Sequence, residues 1–292
     1  MKSDDPFNMR PQWDALLGIY KEFAKICDRH GLRYWFAEGN AIGALRHEGF
    51  VPWDDDIDVI MPRPDYEKFV AAAAEELPPH LKYWNWRDVS DWRFTMGKVQ
   101  ETRADRVASV ENAVGHVLSN GLYIDILVLD GFPEGRLAAF VYKLKIRLLG
   151  MICRFQRTKR KSYSRKGQLE WVLGGALSLF CPWYRGKTAA MEKLERVMKS
   201  IPFEGAKHTW RTGSSIRVTM TFPGETWRDT VWKDFEGMKV PLPIGYDSYL
   251  RTQYGDYMQL PPKEQQKPCH TFKEHFSWWL GPTNDRARDA TS

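Results

Sequence analysis

The chain has 292 residues, 43% hydrophobic and 27% charged, a balance ordinary for a soluble globular protein with one large domain or two small ones. Its net charge of +6 favours anionic partners such as phosphorylated substrates, nucleotides or acidic lipids, but it is too small to indicate nucleic acid. Widely spaced cysteines, the absence of an apolar run of about 18 residues and a polar N-terminus predict a cytoplasmic protein.

The first predicted elements are an amphipathic helix over residues 12–30, ended by Gly31, and a short strand over residues 32–37. Gly39 and Asn40 then form a turn that opens a short helix over residues 41–47. A glycine-polar turn at a helix start presents backbone N–H groups to an anion, and the helix dipole favours the same charge. The turn is therefore a candidate phosphate site.

An acidic stretch follows, with Asp54, Asp55, Asp56 and Asp58 inside an apolar frame. Because alternate residues of an extended chain share a face, Asp54, Asp56 and Asp58 are expected on one side and Asp55 on the other. Carboxylates this close repel one another unless a cation offsets them, which indicates Mg²⁺ or Mn²⁺. The alternative is a solvated acidic turn.

The next predicted elements are a helix over residues 64–77, strands over residues 81–86 and 92–99, and a strongly apolar strand over residues 122–129. Asp125 interrupts this last strand. A carboxylate inside a buried strand is costly unless it is paired or metal-bound, so Asp125 is a candidate third metal ligand. The alternative is that it pairs with a buried arginine or lies near the surface at the strand end.

Residues 136–200 are predicted to be helical and both apolar and basic, with ten Lys or Arg and no acid between Lys143 and Lys166. Residues 143–180 could rest on an anionic membrane as an interfacial element. They could also form a helical subdomain with a solvated basic face.

The last hundred residues predict short strands and loops, and a helix over residues 246–254 that ends at Gly255. Residues 254–257 either shape an acceptor pocket by stacking or simply terminate that helix. The pattern of Cys269, His270 and His275 is too sparse to predict a zinc site.

The predicted fold is therefore α+β, a nucleotidyltransferase-like mixed β-sheet core flanked by helices, with a helical insertion and an irregular C-terminal lobe. Residues 1–135 would form the catalytic core, 136–200 the insertion and 201–292 the part that completes one continuous structural domain. The ordered sequence of strand, glycine turn, Asp-Ile-Asp strand and Ile-Asp-Ile strand indicates a metal-dependent nucleotidyltransferase-type site.

Two blocks carry a family resemblance. The first is Gly39-Asn-Ala-Ile-Gly-Ala-Leu-Arg-His-Glu-Gly-Phe-Val-Pro-Trp-Asp-Asp-Asp-Ile-Asp58, continued by Pro62-Arg-Pro-Asp-Tyr-Glu-Lys-Phe69. The second is Tyr249-Leu-Arg-Thr-Gln-Tyr-Gly-Asp-Tyr-Met-Gln-Leu-Pro-Pro262, followed by His270. Both resemble the LicD family of phosphotransferases, which is related to the fukutin group. Asn40 departs from the Thr or Ser usual in that family.

The resemblance implies transfer of a substituted phosphate, such as phosphocholine or a polyol phosphate, from a CDP-linked donor to a hydroxyl of a cell-surface glycan or its lipid-linked precursor, with CMP leaving. It implies Mg²⁺ (or Mn²⁺) held by Asp56, Asp58 and Asp125, with Asp54 as a further ligand. Asp125 either completes the metal site or acts as general base. The candidates for the phosphate oxygens are Gly39, Asn40, Arg46, His47 and Lys98.

Two alternatives stay open at this point. The chain could be a nucleotidyltransferase that moves NMP from an NTP to a small molecule or protein, or an inactive binding scaffold that retains the fold. In the transferase reading, the basic helical segment would place the protein at the inner face of the plasma membrane, where lipid-linked precursors are assembled.

Overall fold

The structure is a computed structural model that describes residues 5–88, 94–102, 109–111, 117–120, 122–157, 165–181, 188–213 and 218–268. Several sequence predictions fall on residues outside these ranges: the start of the strand over residues 92–99, part of the basic stretch, and Cys269, His270 and His275.

The structure has both helices and strands, so the α+β class is confirmed. The helices are α1 (Arg10–His30), α2 (Glu38–Arg46), α3 (Arg63–Glu76), α4 (Arg136–Arg157), α5 (Arg165–Phe180), α6 (Ala189–Met198) and α7 (Tyr246–Tyr254). The strands are β1 (Trp35–Phe36), β2 (Ile57–Pro62), β3 (Leu81–Trp84), β4 (Gly97–Glu101), β5 (Ser109–Glu111), β6 (Val117–Asn120), β7 (Tyr123–Phe132), β8 (His208–Arg211), β9 (Phe222–Pro223), β10 (Thr230–Phe235) and β11 (Met238–Pro243).

The main sheet has the order β1-β2-β7-β4-β3 and is mixed. The central strand β7 runs parallel to β2 and antiparallel to β4, and its second half pairs with β8, which in turn pairs with β9. The pairs β10-β11 and β5-β6 form two small separate ladders. Every residue of β7 is buried, as expected for a strand with neighbours on both edges and helices on its faces.

Helix α1 follows the predicted pattern closely. Pro11 lies in its first turn, and Gly31 ends it with φ 60°, a left-handed conformation that glycine adopts without a steric penalty. One face is buried in the core, including Trp13, Tyr20 and Phe23. This packing places the start of α1 beneath the acidic stretch.

Helices α4, α5 and α6 follow β7 and attach to its far end. Tyr142 of α4 donates a hydrogen bond to the Met198 carbonyl (3.2 Å) and accepts one from the Trp210 indole (3.0 Å). Helix α5 packs tightly on α4 at Gly174, where a Cβ would collide with the Met151 carbonyl. The described residues between 136 and 198 are thus largely helical, as predicted.

Candidate active site

The sheet register brings three of the predicted residues side by side. Asp58 of β2 lies opposite Asp125 of β7, and Asp125 lies opposite Lys98 of β4. Adjacent strands are about 4.8 Å apart, so these residues form a row across three neighbouring strands. The prediction that Asp125 comes from a strand next to the acidic stretch is confirmed.

The acidic stretch alternates as its sequence predicts. Asp54, Asp56 and Asp58 are half-buried, whereas Asp55 between them is 2% exposed, and Ile57 is fully buried. Three carboxylates therefore share the accessible face of the loop and strand β2, and Asp55 lies on the other side.

Helix α1 fixes this loop from below. The Trp13 indole donates to the Asp54 carbonyl (2.7 Å), and the Gln12 amide donates to the Asp55 carbonyl (2.5 Å). Both bonds use backbone oxygens of the loop, so they position the chain without consuming its carboxylates.

Asn40 fixes the loop from above, from inside the first turn of α2. Its Oδ1 accepts a hydrogen bond from the Asp58 N–H (2.6 Å), and its Nδ2 donates to the Asp56 carbonyl (3.0 Å). The side chain is fully buried. The amide group therefore bridges helix and loop, and its proposed contact with phosphate stays an untested prediction.

Gly39 differs slightly from the prediction, because α2 begins at Glu38 and includes the expected turn. The Asp54 carboxylate lies directly against its α-carbon, so that a Cβ at this position would collide with Asp54 Oδ2. A side chain at position 39 would therefore displace the Asp54 carboxylate.

Crowding shows in the electrostatics of two of these acids. Burial raises the pKa of Asp54 well above its ordinary value, and repulsion from Asp56 and Asp55 adds to this. Burial also raises the pKa of Asp58 well above its ordinary value, with repulsion from Asp56 and Asp125 adding to it. Burial and the close packing of carboxylates thus disfavour the ionised forms of Asp54 and Asp58.

Lys98 lies at the edge of this charge and is only 2% exposed. Its ammonium forms an ion pair with Asp125 and sits over the Tyr123 ring, 3.2 Å from the centroid. Burial lowers the pKa of Lys98, partly opposed by Asp125 and Asp58. The ion pair with Lys98 explains how a carboxylate can be buried at position 125 of the sheet. The predicted contact of Lys98 with phosphate stays a prediction.

Glu38 is a further acid at the site, in addition to Asp54, Asp56, Asp58 and Asp125, and sequence reasoning missed it. It has φ 48°, a strained value for a residue with a side chain, and its carboxylate forms an ion pair with Arg211. It also accepts hydrogen bonds from Tyr254 and Tyr249 of α7, the latter at 3.4 Å. Glu38 therefore connects α2 to β8 and to the C-terminal part of the chain.

Arg211 was missed as well. Burial lowers the pKa of its guanidinium, but the charges of Glu38 and Asp58 outweigh this and the pKa is raised. Arg211 is thus a half-buried cation beside the acids, placed where an anionic group could reach it. Its only sequence signal is a basic residue directly after a tryptophan in a short strand.

Arg46 and His47 lie at the other end of α2. The Arg46 Nε donates to the His47 ring (2.9 Å), and its Nη1 donates to the carbonyls of Tyr257 (3.0 Å) and Gln259 (3.4 Å). His47 is the residue that caps the helix. Arg46 thus connects α2 to the C-terminal segment. It also lines a cavity that lies between the acidic loop and the residues after α7. The phosphate contacts of Arg46 and His47 stay predictions.

The donor set at the acidic face fits a hard divalent cation, because it consists of carboxylate oxygens whose mutual repulsion a cation would relieve. Across the described ranges, no group of three His, Cys, Asp or Glu side chains already stands close enough to ligate one ion. The metal is therefore a prediction from donor chemistry and charge.

Residues 31–125 match the family model described as LicD/FKTN/FKRP, nucleotidyltransferase domain. The lipopolysaccharide cholinephosphotransferase LicD of Haemophilus influenzae is 29% identical over 264 residues, which cover 90% of this chain and 96% of that protein. An uncharacterised protein of Rickettsia typhi is 27% identical over 73 residues, 25% of this chain and 22% of its own.

Among solved structures, one similar chain is that of ANT(2″)-Ia, in its crystal structure with adenylyl-2″-tobramycin. It is 14% identical, covers 62% of this chain and 94% of its own, and has a TM-score of 0.19. The matched family segment contains Gly39, Asn40, the acidic stretch, Lys98 and Asp125, so one segment holds most of the site.

Proposed function

Because residues 31–125 match the model of the LicD/FKTN/FKRP nucleotidyltransferase domain, we propose that the chain transfers a substituted phosphate, such as phosphocholine, from a CDP-linked donor to a glycan hydroxyl. The acceptor oxygen attacks the phosphorus that bears the alcohol, the bond from that phosphorus to the CMP oxygen breaks, and CMP leaves. The hydroxyl proton passes to a base. A glycan acceptor is supported by the similar protein of Haemophilus influenzae, whose name gives lipopolysaccharide as its substrate.

One observation carries the proposal: Asp58, Asp125 and Lys98 form a row on adjacent strands, next to a loop that presents two more carboxylates. Phosphoryl transfer requires positioning and neutralisation of charge more than covalent help from the protein. A site with clustered carboxylates and two buried or half-buried cations is suited to hold a cation-bound diphosphate.

The roles follow from position. We assign Asp56 and Asp58 to the metal, with Asp54 as a further ligand, and a bound Mg²⁺ would supply charge neutralisation on the diphosphate. Asp125 either adds a metal ligand or accepts the proton of the acceptor hydroxyl, with Lys98 holding its carboxylate in place. Arg211 is proposed to meet a phosphate oxygen.

The test measures thermal stability with CDP-choline, CDP-glycerol, CTP and ATP, each with and without Mg²⁺, alongside a transfer assay on a lipopolysaccharide acceptor. The expected result is Mg²⁺-dependent stabilisation by a CDP-alcohol and none by ATP. The Asp58→Asn variant should lose both stabilisation and transfer. Asp234→Asn, at an exposed position of β10, is the matched control and should retain both.

Stabilisation by CTP or ATP with release of pyrophosphate would instead support the nucleotidyltransferase alternative. No shift with any of the ligands, with or without metal, would contradict both enzymatic functions.

We also propose that residues 143–180 help to bring the enzyme to a lipid-linked acceptor. Helices α4 and α5 expose large apolar side chains, several of them more than 70% exposed: Leu137, Leu179 and Phe180, with Phe140, Val141, Leu144, Leu169, Val172 and Leu173 beside them. Lys143, Lys145 and Arg147 are exposed along α4. An apolar face with basic flanks suits the surface of an anionic bilayer.

None of the helices in the described part of the chain is both long enough and apolar enough to span a bilayer. The proposed contact is therefore peripheral. Flotation with vesicles of phosphatidylcholine, with and without phosphatidylglycerol, tests it: Leu173→Glu should abolish binding, whereas Trp232→Glu, at another exposed apolar position, should not. Equal flotation of both variants would contradict it.

A further inference from the structure

The carboxylate of Glu38, at the start of α2, is surrounded by hydrogen-bond donors. Its Oε1 pairs with the Arg211 guanidinium (2.5 Å) and accepts a hydrogen bond from the Tyr249 hydroxyl (3.4 Å). Its Oε2 accepts hydrogen bonds from the Tyr254 hydroxyl and the Gln253 amide. An ionised carboxylate offers about four lone-pair sites, so these partners fill it. The carboxylate of Glu38 therefore holds its neighbours and is not arranged to ligate a metal.

The backbone of Glu38 is fixed by the same contacts. Its φ of 48° lies in the left-handed region, which residues with a bulky side chain rarely adopt. The Tyr249 hydroxyl accepts a hydrogen bond from the Glu38 N–H (3.2 Å) and donates one to the Glu38 carboxylate. Strained conformations persist where the surrounding structure enforces them, and they cluster at functional sites. Helix α7 thus directs the Glu38 carboxylate towards Arg211.

Arg211, the charged partner of Glu38, lies on the same face of the sheet as the acids. It is opposite Leu129 of β7, and Leu129 is an even number of residues from Asp125, so these side chains point to one side. Burial lowers the pKa of Arg211, but the negative charges of Glu38 and Asp58 outweigh it and the pKa is raised. Two carboxylates therefore attract the guanidinium, and its ion pair is with Glu38.

A pair between Arg211 and Asp58 would interfere with the proposed metal. A guanidinium binds a carboxylate through two parallel N–H···O bonds, which would occupy the oxygens that a cation needs. Asp58 is half-buried, so water would screen such a pair only in part. When Glu38 holds the guanidinium, further N–H groups remain for a phosphate oxygen, because a guanidinium carries five in all.

From these contacts we infer that Glu38 is a positioning residue, which holds Arg211 away from Asp58 and thereby keeps Asp58 available to a divalent cation. The inference rests on the proposed function, because it depends on the assignment of Asp58 to a metal. Glu38 acts through Arg211 and takes no part in the transfer itself. Since α7 supplies the other donors to Glu38, the C-terminal part of the chain supports metal binding without supplying a ligand.

The experiment measures the affinity for Mn²⁺ in the presence of CMP, from the electron paramagnetic resonance signal of the free ion. Glu38→Gln should weaken Mn²⁺ binding at least tenfold, because Arg211 then pairs with Asp58. In the Arg211→Gln background, the same change should weaken binding less than threefold. A double-mutant cycle that departs from additivity in this way identifies Arg211 as the group through which Glu38 acts.

The loss of a negative charge weakens cation binding by itself, so Asp256→Asn is the matched control. Asp256 is exposed and lines the same cavity as Asp54, and the variant leaves Glu38 and Arg211 unchanged. It should weaken Mn²⁺ binding less than threefold, because water and salt screen an exposed charge.

A second measurement separates positioning from a purely structural role. In the transfer assay, Glu38→Gln should raise the Mg²⁺ concentration for half-maximal activity at least tenfold, while kcat at saturating Mg²⁺ falls less than threefold. A residue that only joined α2 to α7 would lower kcat at every Mg²⁺ concentration. If Glu38→Gln does not fold, Arg211→Gln carries the test: it removes the competing cation and should bind Mn²⁺ at least as tightly as the wild type.

Each contrary outcome has a distinct meaning. Mn²⁺ affinity within threefold of the wild type in Glu38→Gln, an equal loss in the Arg211→Gln background, or weaker binding in Arg211→Gln alone would overturn the inference and leave the proposed function intact. Failure of the wild type to bind Mn²⁺ in the presence of CMP would contradict the metal assignment in the proposed function and the inference together.

Discussion

Strand β7 carries a buried acid near each end, Asp125 and Asp130, and the surroundings of these two acids differ in charge. Asp130 is 1% exposed and receives two parallel hydrogen bonds from Arg63 of α3, from Nε (2.8 Å) and Nη2 (2.6 Å). Burial lowers the pKa of Arg63, but Asp130 outweighs it and the pKa is raised. This end of the strand is neutral and fully paired.

The other end carries Asp125, which points to the opposite face of the sheet because it is an odd number of residues away. Here one lysine pairs with Asp125, while Asp54, Asp56 and Asp58 gather beside it. Burial and repulsion among these acids raise the pKa of Asp54 and Asp58. One strand thus contrasts a buried acid that is paired with an arginine and a cluster of acids with raised pKa values, the pattern typical of a functional site.

The largest effect is expected from Asp58→Asn, which changes the acidic end of the comparison. We expect transfer activity to fall about a thousandfold, because the variant lacks a carboxylate that would hold the proposed metal, and the metal's charge would neutralise the reacting diphosphate. We also expect the metal-free protein to melt at a higher temperature than the wild type at pH 7, since a repelled charge is removed. Activity assays and thermal melts in EDTA measure the two effects.

The sign at pH 7 follows from the raised pKa of Asp58. A carboxyl group whose pKa is higher in the folded state binds protons more tightly there, so its ionisation costs stability as the pH rises above the unfolded value. A metal-free Asp58→Asn variant that melts below the wild type would contradict the repulsion argument.

The matching change at the neutral end is Arg63→Ala. It leaves Asp130 buried without its bidentate partner and should lower the free energy of unfolding by about 3–5 kcal/mol. Urea titration measures this. The control is Arg29→Ala, which breaks an exposed pair with Glu76 and should cost about 0–1 kcal/mol. Equal effects of the two variants would remove the distinction between the pairs.

A smaller effect is expected from Asn40→Ala. The change leaves the Asp58 N–H and the Asp56 carbonyl without the Asn40 amide and should cost about 1–3 kcal/mol of stability. Activity should fall about 10- to 100-fold because the carboxylates lose their support. If CMP affinity fell in proportion to activity while stability was unchanged, Asn40 would contact the nucleotide instead.

The smallest effect is expected from Tyr249→Phe. The Tyr249 hydroxyl accepts a hydrogen bond from the Glu38 N–H (3.2 Å), and its loss should cost about 0.5–1.5 kcal/mol. Chemical denaturation measures the change. An unchanged free energy of unfolding in Tyr249→Phe would show that this hydrogen bond does not stabilise the conformation of Glu38.

The acidic face could be predicted because its pattern is local. The alternation of Asp54, Asp55 and Asp56 follows from the period of an extended chain, and the apolar frame around Asp125 indicates a central strand. The helix boundaries were also close, with Gly31 and Gly255 following the last residues of their helices.

The contacts of Glu38 and Arg211 could not be predicted in the same way. These residues are 173 positions apart, and no local period joins them. The role of Asn40 was also hidden, because a polar residue at a helix start fits a ligand contact and a loop contact equally well. Only the register of the sheet shows which backbone groups its amide reaches.

The two walls of the cavity are made at very different times. The acidic loop and its partner strand are complete once about 130 residues have been synthesised, whereas Tyr254 and Leu260 follow at a rate of roughly 5–20 residues per second. The residues that complete the opposite wall of the cavity are therefore synthesised several seconds after those of the acidic loop.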